Sequence, residues 1–205
     1  MVTDAVPINT GPTDTGTGQL FRQVLGHFCT GVTVITTVDA DGPAGFTCQS
    51  FAAVSLDPPL VLFCPGRSSA TWPRISRAGH FCANVLADEQ RELARVFAGR
   101  GPGGGARGAA GGAGKFDGVG WSPAPSGAPV LDGALAWVTA EVEGVHEAGD
   151  HFVVTGRVTG LRACRPGPPL LFYKSRYAAT APGAGDGPPE VVDSLLAWPR
   201  YADWI

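Results

Sequence analysis

Four short clusters carry side chains that can bind or react. Thr47-Cys48-Gln49-Ser50 gathers two hydroxyls, a thiol and an amide between two apolar, strand-like runs. Such groups offer donors and acceptors to the polar edge of a flat heteroaromatic ligand. Ser68-Ser69-Ala70-Thr71 sets three hydroxyls between Arg67 and Arg74, at the start of a helical segment where free amide donors can seat a phosphate. Gly149-Asp150-His151 places a histidine where a hairpin turns into a strand. Tyr173-Lys174-Ser175-Arg176-Tyr177 is an aromatic and basic exit from the last strand, suited to an anionic dinucleotide. Each cluster has an ordinary alternative: a solvated strand end, a plain helix cap, a surface histidine, and a second solvated strand end.

None of these is a self-contained catalytic set. No nucleophile and base are paired by motif, no glycine-x-serine-x-glycine elbow is present, and no carboxylate pair stands out. The five cysteines, Cys29, Cys48, Cys64, Cys82 and Cys164, show no C-x-x-C spacing and lie mostly in apolar runs. They read as reduced thiols acting as small core residues. The histidines, His27, His80, His146 and His151, offer no ligand spacing, so no metal site is expected. The chemistry then belongs to a bound cofactor, with the protein supplying position and electrostatics.

The elements that must hold these clusters are mostly strands. Residues 19–28 carry Leu20, Phe21, Val24, Leu25 and Phe28 at helical spacing, and predict a short amphipathic helix. The β-branched run 32–38, the run 44–54 and the run 60–64 predict three strands, the first two joined by the turn 39–43. A helix through residue 75, a strand over 80–86 and a helix over 88–97 capped by Asp88 follow. The valine-rich segments 135–145 and 151–161 form another hairpin, and 169–173 is a last strand. Six or seven strands, several in hairpins, with two or three short helices favour a closed antiparallel barrel over an alternating α/β sheet. No G-x-G-x-x-G follows a strand, which argues against a Rossmann domain. Residues 1–18 read as a disordered arm, 99–114 as a Gly-rich surface loop and 179–205 as a linker and docking tail with a short helix over 191–198.

Composition narrows the partners. A net charge of −3 with no basic stripe excludes a nucleic-acid binder. No apolar run approaches the roughly 20 residues of a membrane span, and the polar start is unlike a secretion signal, so the expected location is the cytoplasm. Charged residues make up 16%, low against the roughly 25% usual in globular chains. Either a subunit interface covers part of the surface, or the Gly/Pro/Ala-rich composition simply dilutes the charge.

The order of the short motifs resembles the short-chain flavin reductases with an FMN-binding split barrel, the small reductase components of two-component flavin-dependent monooxygenases. The resemblance runs over about residues 19–178. It rests on Phe21-Arg22, Thr30-Gly31-Val32-Thr33-Val34, Gly45-Phe46-Thr47-Cys48-Gln49-Ser50-Phe51, Ser55-Leu56-Asp57-Pro58-Pro59-Leu60 and Ser69-Ala70-Thr71. It continues through Phe81-Cys82-Ala83-Asn84-Val85-Leu86, Phe97-Ala98, Lys115-Phe116, Pro129-Val130-Leu131, Gly149-Asp150-His151 and Pro169-Leu170-Leu171-Phe172-Tyr173.

The resemblance implies a mainly β fold: a homodimeric, six-stranded antiparallel split barrel, Greek-key-like, with a few peripheral helices and flavin near the subunit interface. Thr47, Cys48, Gln49 and Ser50 would contact the isoalloxazine and ribityl chain. Ser68, Ser69 and Thr71 would hold the phosphate with Asn84 nearby, and Thr30, Gly31, Val32 and Thr33 would line the cleft. His151, with Asp150, would sit near the nicotinamide, and Tyr177 close by. Cys48 and Gln49 depart from the family's usual Thr-Ala-Asn-Ser, the glutamine reaching one methylene further.

The implied activity is hydride transfer from NADH or NADPH to FMN or FAD, with reduced flavin diffusing to a partner flavin-dependent monooxygenase. Water can supply the remaining proton, and alignment of the two rings carries the rate, contributing roughly 7–11 kcal/mol. Two other readings share the barrel: a non-enzymatic flavin carrier or sensor, and a flavoprotein that reduces a different substrate.

Overall fold

The β-branched run after Gly31 becomes the strand around which the rest is arranged in the computed structural model, which describes residues 15–99 and 113–180. In chain order the elements are α1 (Thr15–Leu25), β1 (Thr30–Gly31), β2 (Thr33–Asp39), β3 (Gly42–Cys48), β4 (Ala52–Leu56), β5 (Pro59–Phe63), α2 (Trp72–Ala78) and β6 (His80–Val85). There follow α3 (Arg91–Phe97), β7 (Trp121–Pro123), β8 (Pro129–Leu131), β9 (Ala136–Ala148), β10 (His151–Ala163), β11 (Leu171–Tyr173) and β12 (Arg176–Ala178).

Seven antiparallel strands form the main sheet in the order β3-β2-β6-β9-β10-β5-β4. Its two edge strands, β3 and β4, are consecutive in the chain. Only Gln49, Ser50 and Phe51 separate them. A flat sheet in this order would hold its edges about 29 Å apart, six gaps of about 4.8 Å. The link from Cys48 to Ala52 reaches at most about 14 Å. The sheet therefore curls on itself, and β3 meets β4 and β5 at a seam. Ser50 fastens that seam: its Oγ accepts the Cys64 N–H at 2.8 Å.

Side chains alternate across β2. Ile35 points inward to a core with Cys48, Val61, Phe63, Trp72, Ile75, Phe81, Ala83, Ala140 and Val154, where the Phe63 and Phe81 rings meet at 4.8 Å. Val34 points outward to a second core with Val32, Leu86, Ala94, Phe97, Phe116, Leu131 and Leu170. The α3 helix lies so close to β3 that a Cβ on Gly45 would sit 2.9 Å from the Phe97 ring.

Several expectations need correction. The run 44–54 is two strands, because the chain leaves the ladder at Gln49 to cross the seam, and this brings the sheet to seven strands where six were expected. The α1 helix begins at Thr15 and gives way at Leu25 to a tight turn in which Phe28 N–H reaches Leu25 O at 3.0 Å. Asp88 does not cap a helix: residues 88–90 form a 3-10 turn, closed by Gln90 Oε1 accepting the Ala87 N–H at 3.0 Å. The short strands β1, β7, β8 and β12 were not foreseen. Cys48 and Cys82 are buried, the latter's thiol pushed up to about 12 by burial, but Cys29 and Cys164 stand at the surface. The expected terminal helix over 191–198, most of the N-terminal arm and most of the Gly-rich loop lie outside the described residues.

One ion pair locks the far end of the barrel. Arg74 on α2 grips Asp39 through Nη2 and through Nε at 2.9 Å, both side chains being under a tenth exposed. The Arg74 hydrogen bond, opposed by burial, holds the Asp39 carboxyl at about 2 against an ordinary 3.8. Because the folded value lies below the unfolded one, the stabilisation is complete above pH 4 and disappears as pH falls toward 2. It amounts to about 2 kcal/mol. Urea unfolding across this range should show the wild type losing that much of its advantage over Asp39→Asn between pH 4 and 2. An advantage that does not change with pH would contradict the assignment.

Candidate active site

The seam decides where the first cluster points. Thr47, at the end of β3, donates its hydroxyl to the Ala94 carbonyl of α3 at 2.6 Å. Cys48 turns into the core, where burial pushes its thiol up. Its Sγ lies 3.3 Å from Ser50 Oγ, so these two side chains share a side as alternation requires. Ser50 is held by the backbone of Cys64. Gln49 alone of the four presents its side chain to solvent.

Residues 64–69 lead from the seam to the second cluster. Ser69 N–H bonds Gly66 O at 3.0 Å, and its Oγ accepts the Trp72 N–H of α2 at 3.2 Å. Thr71, the residue before α2, makes no side-chain cap. It is buried and donates to Gly45 O at 3.3 Å. Ser68 is exposed. The expected helix start therefore falls at Trp72, with Pro73 in the first turn. The flanking arginines are engaged elsewhere. Arg74 holds Asp39, and Arg67 pairs with Glu147 at 2.8 Å and lies 5.3 Å from the Phe152 ring centre.

The tip of the β9–β10 hairpin docks onto the same loop. Arg67 N–H reaches Asp150 O, and Phe152 N–H reaches Pro65 O, both at 2.9 Å. His151 pairs with Gly66, and its Nε2 would lie 3.7 Å from a Cβ built on that glycine. Its Nδ1–H donates to Asp150 Oδ1 at 2.8 Å. That hydrogen bond holds the Asp150 carboxyl below its usual range, helped by the charge of the ring and of Arg22. The imidazole is about half exposed. Ser50, Ser68, Ser69, Asp150 and His151, far apart in sequence, thus surround one loop.

A second group lies beside Cys48, where the small sheet β1-β11-β12 meets the start of β2. Thr33 donates to Cys48 O at 3.1 Å and is buried. Val32 is a core residue. Gly31 is exposed, with nothing within 4 Å of a would-be Cβ. Next to it the Thr30 hydroxyl is buried without a hydrogen-bond partner. A buried hydroxyl in that state costs free energy unless a ligand or water meets it. The Tyr177 ring stacks edge-on against Phe172 at 5.5 Å and lies 5.9 Å from the Arg95 guanidinium.

Asn84 stands apart from both groups. It is fully buried. Its Nδ2 donates to Val34 O, Thr36 Oγ1 and Pro129 O, and its Oδ1 accepts the Leu131 N–H at 2.8 Å. The amide therefore clamps β8 to the barrel, and both its N–H bonds are taken up by the protein. Lys115, absent from the sequence-derived candidates, reaches Phe97 O at 2.9 Å from a half-buried position, and burial lowers its pKa. Lys115-Phe116 is among the motifs of the resemblance, but its spacing does not announce that contact. Among the described residues no three His, Cys, Asp or Glu side chains gather as metal ligands, and no helix is long and apolar enough to cross a membrane.

Comparison with known proteins gives this geometry its context. Residues 25–181 match the model of the flavin reductase like domain. The reductase subunit HsaB of a flavin-dependent monooxygenase from Rhodococcus jostii is 49% identical over 162 residues, covering 79% of this chain and 77% of that protein. The NADH-dependent FMN reductase SmoA of Agrobacterium fabrum is 42% identical over 153 residues, covering 74% and 80%. Among solved structures, a nitrilotriacetate monooxygenase component B homologue from Mycobacterium thermoresistibile superposes with a TM-score of 0.76 at 44% identity, over 89% of this chain and 97% of that one. The NADH:FAD oxidoreductase SgcE6 of Streptomyces globisporus gives 0.73 at 34% identity, over 88% and 100%. By the extent of these matches, on a barrel of the same kind, the chain belongs to the flavin reductase like family.

Proposed function

We propose that the chain is an NAD(P)H:flavin oxidoreductase that hands reduced FMN or FAD to a partner monooxygenase in the cytoplasm. The observation that carries this reading is the unpartnered, buried hydroxyl of Thr30 beside the bare backbone of Gly31. That pair offers a polar atom in need of a partner and room for a flat ring, so the residues fit a flavin. A flavin held there would supply the acceptor, at N5, for a hydride from C4 of the nicotinamide.

The protein's part is positional. Thr30, Gly31 and Gln49 would meet the flavin directly. Ser68 and Ser69 face its phosphate. Thr33, Thr47, Ser50 and Thr71 act at one remove, because their hydroxyls are tied to the backbone of Cys48, Ala94, Cys64 and Gly45 and so fix the wall. His151, oriented by Asp150, stands where a nicotinamide carboxamide needs a polar neighbour, and Tyr177 closes the far side. No side chain is required as acid or base. Alignment of two rings is worth roughly 7–11 kcal/mol, enough to make the step fast without one.

The same reading includes a homodimer. One face of α1 and the turn after it exposes Leu20, Phe21, Val24, Leu25 and Phe28, the last 75% accessible. A contiguous apolar face of this kind marks an interaction site on a soluble protein.

Steady-state oxidation of NADH and NADPH should require added flavin and turn over with FMN, FAD or both, the dialysed protein being nearly colourless. Strong yellow colour without turnover would favour a carrier, and turnover only with a further acceptor a different flavoenzyme. Thr30→Val should leave thermal stability unchanged or raised, because it removes an unsatisfied group, and should weaken flavin binding about fivefold, the worth of one hydrogen bond of about 1 kcal/mol. Unchanged flavin affinity would contradict the contact. Light scattering should give twice the chain mass, and Phe21→Glu should lower it. A monomeric wild type would remove the dimer.

A further inference from the structure

The Arg67 side chain is committed to the β9–β10 hairpin, although it lies next to Ser68 and Ser69 in the chain. Its Nη2 reaches Glu147 Oε2 at 2.8 Å, and its guanidinium carbon lies 5.3 Å from the Phe152 ring centre. Glu147 on β9 and Phe152 on β10 are direct cross-strand partners. One guanidinium therefore covers a whole rung of the hairpin. The next rung toward the turn pairs His151 with Ala148. The same Phe152 ring lies 5.8 Å from that of Trp72 on α2, and Trp72 belongs to the barrel core.

Backbone bonds alone leave the hairpin tip one freedom. Arg67 N–H to Asp150 O, Phe152 N–H to Pro65 O and the bridge between Gly66 and His151 all attach to the turn and the β10 arm. They form a single edge, about which a two-stranded tip can rock. The Arg67 side chain crosses to the β9 arm and closes the other edge. His151 sits inside this frame. Its two neighbours, Asp150 and Phe152, are both bonded to the loop, and its Nε2 would lie 3.7 Å from a Cβ on Gly66.

We propose that Arg67 is a positioning residue for hydride transfer: by gripping both arms of the hairpin it fixes the place of His151 relative to residues 64–69. The assignment rests on the reductase reading above, in which His151 stands near the nicotinamide while Ser68 and Ser69 face the flavin phosphate. Loop and tip then serve different reactants, and Arg67 keeps their separation constant. Catalysis by alignment is sensitive to such a separation, a displacement of about 1 Å costing about a hundredfold in rate. The ion pair itself contributes little to global stability, since its side chains are 44% and 73% exposed. Direct pairing with the flavin phosphate is the other use of the same cation, and it would require Arg67 to leave Glu147.

Arg67→Ala in the full-length protein should lower kcat/KM for NADH about tenfold with little change in thermal midpoint. Arg67→Lys, which keeps the charge, should recover most of the loss. In a His151→Ala background the same Arg67→Ala change should alter kcat/KM less than about twofold, because the group it positions is gone. The dissociation constants of FMN and of riboflavin should both stay within about twofold of the wild type, and Glu147→Gln should reproduce part of the loss. A loss that persists undiminished without His151, a loss confined to FMN binding, or tighter FMN binding by Glu147→Gln would overturn the assignment. Amide hydrogen exchange separates the clamp from the reductase reading. If the wild type oxidises no NADH, the reductase reading fails, yet exchange of the Phe152 amide about fivefold faster in Arg67→Ala would still support the clamp. Unchanged exchange at Phe152 would refute it.

Discussion

Three residues between the two edges of a seven-stranded sheet impose the shape of this molecule. Because Gln49, Ser50 and Phe51 cannot stretch across a flat sheet of that width, the strands must coil until the edges meet. The closure has to be made without a continuous ladder, and Ser50 supplies the bond to Cys64 that the missing backbone pairing would have given. Part of what is proposed for the ligand follows from that junction. Gln49 is left facing solvent, and the loop after β5 is held next to it.

The same junction explains a division of labour among the hydroxyls. Around the interruption, hydroxyls tie the barrel wall to its neighbours. Thr33, Thr47 and Thr71 each reach a backbone oxygen of a neighbouring element. A hydroxyl so placed has a small net worth of about 1 kcal/mol. Thr30 breaks the pattern, since its buried oxygen finds no such acceptor. The contrast among four similar residues separates three whose hydroxyls are tied to the backbone from one whose oxygen is left unmet.

Much of the architecture was legible because it rests on local pattern. The β-branched run of β2, the valine-rich arms of β9 and β10, and the turn at Gly149 announce themselves by composition. What was not legible depends on distant partners. The end of β3 at Cys48 is set by closure of the sheet, a constraint carried by the order of all seven strands. Thr71 looks like a helix cap, but the Gly45 carbonyl, 26 residues earlier, takes its hydroxyl. Asn84 sits in an apolar strand like any buried amide, and only the return of residues 129–131 reveals it as a clamp. Arg74 resembles a phosphate ligand until Asp39 is seen beside it. The strands β1, β7, β8 and β12 are too short for any periodicity to show.

Lys115 has a consequence for how this barrel can change. By gripping the carbonyl that ends α3, it fastens the 3-10 turn over Ala113–Phe116 to that helix. The two stems of the intervening glycine-rich stretch are thereby stapled together independently of what runs between them. Since closing a loop of doubled length costs only about 0.6 kcal/mol more, that stretch is free to grow or shrink over generations without disturbing the walls on either side.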